Sequence, residues 1–160
     1  MRLFIGIDFS DENKEIIIEK IKHCQGKVVK KENLHLTLVF LGEIAQTKID
    51  QIIHVLKKVN SVPFILTANK TNILKDILVL EINKTKELID LQAKLEKEIL
   101  SSGFLIDSRL YYPHVSLVRK YQKKDISLFN ITEKVNKIVL FWSHHQDGNL
   151  VYEHIYCHYL

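Results

Sequence analysis

Two short segments of this chain each carry an imidazole and a hydroxyl at the same spacing: His35-Leu36-Thr37-Leu38 and His114-Val115-Ser116-Leu117. On a β-strand side chains alternate faces, so His35 and Thr37 project to one side about 6.5 Å apart, and His114 and Ser116 repeat the design. The intervening Leu36, Leu38, Val115 and Leu117 then point the other way, into apolar packing. With 8 His in 160 residues, His-x-Ser/Thr-Leu is expected about 0.1 times by chance, so finding it twice is informative. Two imidazoles facing each other suit acid–base work: near an unperturbed pKa of about 6.5, one is neutral and one protonated at neutral pH. The neutral ring takes a proton from a nucleophile while the charged ring gives one to a leaving oxygen. Hydroxyls at Thr37 and Ser116 can donate to the non-bridging oxygens of a phosphate.

A cation would complete such a site. Only three arginines are present, Arg2, Arg109 and Arg119, and Arg119 lies five residues past His114. In an unbroken strand that odd offset turns it to the wrong face, so a bulge or turn after Leu117 is required to aim it at the phosphate. Aromatic residues near the motifs, Phe9, Tyr111, Tyr112 and Tyr152, are candidates for stacking on a base. His154, Cys157 and His158 read as a strand with Cys157 on the opposite face from His154, and no metal site is expected from them. His54 is expected to face solvent.

The remaining segments must position these groups. Residues 2–9 read as a buried strand, with Ser10 capping a helix over roughly 11–24 that places Ile17, Ile21 and Cys24 on one face. An edge strand at 26–30 and a strand at 34–41, ended by Gly42, follow. Thr47 opens a second helix with Ile49, Ile52, Ile53 and Leu56 at helical spacing. Strands are expected at 62–68, 71–75 and 77–82. Thr85 starts the longest helix, with Leu88, Leu91, Leu95 and Ile99 inward and Gly103 as its stop. A strand at 113–119 carries the second motif, and 135–142 and 150–159 form a hairpin around Asp147-Gly148. The motifs lie half a chain apart, which suggests a duplicated, two-lobed α+β architecture of antiparallel strands and three helices.

Composition sets the class. The chain has 160 residues, 46% hydrophobic and 26% charged, which fits one domain spanning 1–160 and excludes disordered, collagen-like and repeat proteins. A net charge of +4 fits an anionic substrate and falls short of a DNA-coating protein. Two cysteines exclude a disulfide framework, and the N-terminal apolar run, broken by Asp8, is too short for a signal peptide. A reduced, cytoplasmic protein without a membrane segment or obligate protein partner, and monomeric, is expected.

These residues resemble the 2H phosphoesterases, specifically the RNA 2′,3′-cyclic phosphodiesterases also named 2′-5′ RNA ligases. RLFIGIDFS at the start, ENLHLTLVFLGE at 32–43, YPHVSLVRK at 112–120 and the closing DGNLVYEHIYCHYL carry the likeness in family order. It implies a pseudo-symmetric fold in which antiparallel sheets line a central groove, helices lie outside, and each of two sheets supplies one motif. It implies hydrolysis of a terminal 2′,3′-cyclic phosphate on RNA ends or small cyclic nucleotides to a 2′-phosphate, without a metal or other cofactor. In that family the first histidine, here His35, is the proton donor to the 3′ oxygen. The second, here His114, is the base that activates water, and Arg119 matches a phosphate-binding arginine. Ser116 stands where Thr is more usual, and the final turn reads Asp147-Gly148-Asn149 where Gly-Pro is common. Two alternatives remain: another 2H activity, such as 2′-5′ oligonucleotide cleavage or RNA ligation, and an RNA- or nucleotide-binding module without turnover.

Overall fold

A computed structural model describes residues 1–122 and 129–160. Its elements run β1 (Arg2–Asp8), α1 (Asp11–Ile21), β2 (Gln25–Val28), β3 (His35–Glu43), α2 (Ile49–Lys57), β4 (Phe64–Ala68), β5 (Lys70–Leu74), β6 (Ile77–Glu81), α3 (Lys86–Ser101), β7 (His114–Gln122), β8 (Ile131–Val135), β9 (Lys137–Gln146) and β10 (Asn149–Tyr159). Two four-stranded antiparallel sheets, in the orders β10-β9-β1-β3 and β2-β7-β6-β5, each carry one histidine motif on an inner or edge strand. The α+β, two-lobed reading therefore holds. A third sheet, β4-β8, was not anticipated, because ITEKV at 131–135 alternates over only five residues.

Burial follows the alternation along the strands. In β1, Leu3, Ile5 and Ile7 enter the main core, where they meet Leu36 and Leu38 of β3, Val115 and Leu117 of β7, and the inward faces of all three helices. Leu36, Val115 and Leu117 are fully buried, so each motif is anchored from behind. Truncating such a leucine to Ala costs about 2–5 kcal/mol. The groove face of β1 carries Arg2, Phe4, Gly6 and Asp8, which pair with Glu43, Phe40, Thr37 and His35 of β3. Gly6 is required there: a Cβ would sit 2.6 Å from the Leu36 carbonyl oxygen.

Several boundaries differ from expectation. Helix α1 stops at Ile21, so Cys24 lies beyond it; its Ser10 cap forms as expected, accepting from Asn13 N at 3.2 Å. Glu133 of β8 reinforces this end by accepting from Ser10 N at 2.8 Å, placing a carboxylate at the helix N-terminus. Gly42 does not end β3. With φ +73 it sits beside a register shift, and the strand runs on to Glu43. Thr47 falls in a 3₁₀ turn at Gln46–Lys48, and α2 begins at Ile49 without a side-chain cap. Thr85 does cap α3, and Asp147 and Gly148, both at positive φ, close the β9–β10 hairpin. A bulge at Ile155 flips the rest of β10, so Cys157 packs with Phe4 and Phe141 on the groove side rather than opposite His154.

Candidate active site

Both motif strands carry the same irregularity. Between Ile5 and Gly6 the β1–β3 register skips Leu38, and between Leu78 and Val79 the β6–β7 register skips Leu117. Each bulge sits three residues past its histidine. Two consecutive buried residues follow the hydroxyl in each strand, Leu38-Val39 and Leu117-Val118, and the next residue returns to the groove face. That residue is Phe40 on β3 and Arg119 on β7. The bulge required to aim Arg119 inward is therefore present.

Each imidazole is held the same way. His35 Nδ1 lies 2.7 Å from the Asn33 carbonyl oxygen, and His114 Nδ1 lies 2.7 Å from the Tyr112 carbonyl oxygen. Donation from Nδ1–H to a carbonyl fixes the tautomer and leaves Nε2 as the reactive nitrogen of each neutral ring. His35 Nε2 lies 3.1 Å from Thr37 Oγ1. The lobes are tied across the site by Tyr111, whose hydroxyl donates to the Thr37 carbonyl at 2.9 Å.

The surroundings of the two rings differ. His35 sits among Phe4, Phe141 and Tyr152, with ring centroids 4.7, 5.8 and 4.9 Å away. Burial in this aromatic seat pushes its pKa down to about 4, against opposing contributions from the Asn33 carbonyl and Asp8. Asp8 is itself held by Lys14 at 2.7 Å and His154 at 3.0 Å. His114 instead stacks on Tyr112 at 5.1 Å, and the register places Glu81 opposite it. The Tyr112 hydroxyl donates to Glu81 at 2.8 Å and holds that carboxyl below the usual range.

Two cavities meet at the motifs. One of about 210 Å³ contains His35, His114, Thr37, Ser116 and Arg119 and runs out past Lys27, Lys30 and Asn149. The other, about 630 Å³, shares His35, Thr37, Ser116, Arg119 and Tyr152 and extends toward Arg2 and Phe40. Such a site offers two imidazoles, two hydroxyls and a guanidinium to one anionic group, which suits proton transfer at phosphorus. Among the described residues, no group of three or more His, Cys, Asp or Glu is placed to hold a metal ion.

The structure thus brings His35, His114, Thr37, Ser116, Arg119 and Tyr152 together. Three aromatic candidates, Phe9, Tyr111 and Tyr112, fall outside both cavities. Phe9, only 5% exposed, belongs to the main core because the odd positions of β1 continue inward through it. Tyr111 is spent on the inter-lobe hydrogen bond, and burial raises its pKa. Tyr112 borders neither cavity and instead backs His114. Missed from the sequence were Phe4 and Phe141, the seat of His35, and Lys27 and Lys30 on the smaller cavity's rim. The alternation Arg2-Phe4-Gly6-Asp8 already placed Phe4 on the face of His35.

Comparison with known proteins agrees with this geometry. Residues 14–78 match the family model described as LigT like Phosphoesterase. An RNA 2′,3′-cyclic phosphodiesterase of Thermotoga maritima is 30% identical over 98% of this chain and 94% of its own length. One of Escherichia coli is 30% identical over 74% of this chain and 71% of its own. The crystal structure of E. coli LigT complexed with 3′-AMP superposes with a TM-score of 0.90 at 28% identity, covering 99% of this chain and 97% of that one. The chain belongs to the LigT-like phosphoesterase family.

Proposed function

We propose that this chain, as one domain of residues 1–160 acting as a monomer, hydrolyses the 2′,3′-cyclic phosphate at RNA ends to a 2′-phosphomonoester. The observation that carries the reading is the pair of imidazoles, each with Nδ1 engaged by a main-chain carbonyl, bordering one cavity with Thr37, Ser116 and Arg119. The names of the relatives and the 3′-AMP complex of E. coli LigT support a nucleotide substrate.

In this mechanism the phosphate lies between the motifs, with Thr37 and Ser116 donating to its non-bridging oxygens and Arg119 balancing their charge. His114 removes a proton from water as the oxygen attacks phosphorus. His35 gives a proton to the departing 3′ oxygen, and the 2′ oxygen keeps the phosphate. His35 is neutral in the empty site at pH 7, because its pKa is about 4. The anionic phosphate beside it favours the imidazolium and so arms the acid on binding. That same low pKa favours a second reading in which neutral His35 is the base and His114 the acid.

A chain with only two cysteines, Cys24 and Cys157, is in keeping with a reducing compartment such as the cytoplasm. No helix among the described residues is long and apolar enough to cross a membrane. Phosphorus NMR of a short RNA with a 2′,3′-cyclic end, incubated with the protein in EDTA, tests the proposal. A 2′-phosphomonoester is expected. A 3′-phosphate would reverse the leaving oxygen, and unchanged substrate would remove the activity.

A further inference from the structure

Strand β2 lines the smaller cavity, and its pairing with β7 is irregular. The register shifts between Gln25 and Lys27, at Gly26, whose φ is +126 and where a Cβ would sit 2.7 Å from the Lys120 carbonyl oxygen. Past that close approach Lys27 stands directly opposite Arg119, while Val28 and Val118 beside them pack into the core. Both cations line the cavity, and like charges directly opposed on adjacent strands destabilise a sheet when nothing lies between them. Lys30 joins them on the cavity wall, its ammonium donating to Asn149 Oδ1 at 2.8 Å. Among the described residues, none that lines this cavity is a carboxylate. The contrast is Lys31, one residue on, which is neutralised by Glu15 and Asp11. A wall carrying Lys27, Lys30 and Arg119 without an acid holds more positive charge than one cyclic phosphate, a monoanion, requires.

We propose that Lys27, seconded by Lys30, binds the 5′ phosphate of the nucleotide that carries the cyclic end. In RNA that group is the phosphodiester joining the last nucleotide to the chain. The inference rests on the hydrolase reading above, in which Arg119 with Thr37 and Ser116 holds the cyclic phosphate. The 5′ phosphate lies across one ribose from the cyclic one, and neighbouring strands are about 4.8 Å apart. Two long side chains starting from opposed positions therefore reach two phosphates of one nucleotide, each through a charge-assisted contact. The second anion also relieves the repulsion between Lys27 and Arg119. A site of this kind selects nucleotides that bear a 5′ phosphate as well as the cyclic one.

The test compares kcat/KM on three substrates: adenosine 2′,3′-cyclic phosphate, the same nucleotide with a 5′ phosphate, and the dinucleotide ApA ending in a 2′,3′-cyclic phosphate. The wild type is expected to favour each of the two 5′-phosphorylated substrates by about tenfold over the first. That ratio should shrink as ionic strength rises, because Lys27 and Lys30 are exposed. Lys27→Gln should bring the ratio close to one, Lys30→Gln should reduce it less, and Lys27→Arg should keep it. Arg119→Gln should instead slow all three substrates together and leave the ratio standing. A wild-type ratio near one would overturn the subsite while leaving the hydrolase intact. So would a Lys27→Gln variant that keeps the wild-type ratio. A preference for the dinucleotide alone would also overturn it, because the added nucleotide and not the 5′ phosphate would then make the contact. Turnover of none of the three would overturn the hydrolase reading and the subsite with it.

Discussion

Strands β3 and β7 present the same chemistry in different surroundings. Both hold a histidine by its Nδ1 on the carbonyl two residues earlier, both place a hydroxyl two residues later, and both bulge at the leucine after that. Yet His35 is enclosed by Phe4, Phe141 and Tyr152, while His114 lies against one ring, Tyr112, opposite a carboxylate. Position five carries Phe40 in one lobe and Arg119 in the other. The backbone supplies the symmetry, and the neighbouring side chains remove it. A reaction that needs one acid and one base needs that asymmetry, because two identical imidazoles would compete for the same proton.

The largest effect should come from removing either ring. His35→Ala and His114→Ala are each expected to lower kcat about 10²–10⁴-fold with substrate binding largely kept, as read by single-turnover rates and titration of bound nucleotide. Near-wild-type turnover in one variant would show that the lobes do not share the proton transfers. Next comes the asymmetric fifth position. Arg119→Gln should lower kcat/KM about 10–100-fold through loss of a charged contact to phosphate.

A subtler effect concerns the aromatic seat. Tyr152→Ala admits water to His35, so its pKa should rise from about 4 toward the ordinary imidazole value, seen as a shifted NMR titration of the ring protons. The same burial has a stability consequence. As pH falls from about 6.5 to about 4, the unfolded chain binds a proton at position 35 that the folded chain refuses. Stability contributed by neutral His35 is therefore full above that window and lost as pH falls through it. His35→Gln should show a smaller drop in Tm between pH 6.5 and 4 than the wild type. The smallest effect is expected from Ser116→Thr, which keeps the hydroxyl and should change kcat/KM less than about threefold.

Much of this site was legible in the sequence because strand alternation is rigid: once His35-x-Thr37 and His114-x-Ser116 are strands, the hydroxyls share their faces. The bulge at Leu117 was deducible too, since Arg119 could not otherwise reach the groove. Phe9 misled because nearness in sequence to a motif says nothing about which face a residue takes. Counting from Leu3 would have sent it into the core. Cys157 misled for a related reason: a single bulge at Ile155 reverses every later side chain, and no residue type marks it. The sheet β4-β8 and the Glu133 cap on α1 depend on contacts more than 60 residues apart, which local pattern does not reveal.

The division of labour between the lobes can be tested at the leaving atom itself. Replacing the 3′ bridging oxygen of the cyclic end by sulfur gives a leaving group that departs without a proton. If His35 is the acid, His35→Ala should approach wild-type rates on the sulfur substrate, while His114→Ala stays slow. Rescue of His114→Ala instead, with His35→Ala still slow, would contradict the assignment and exchange the roles of the two lobes.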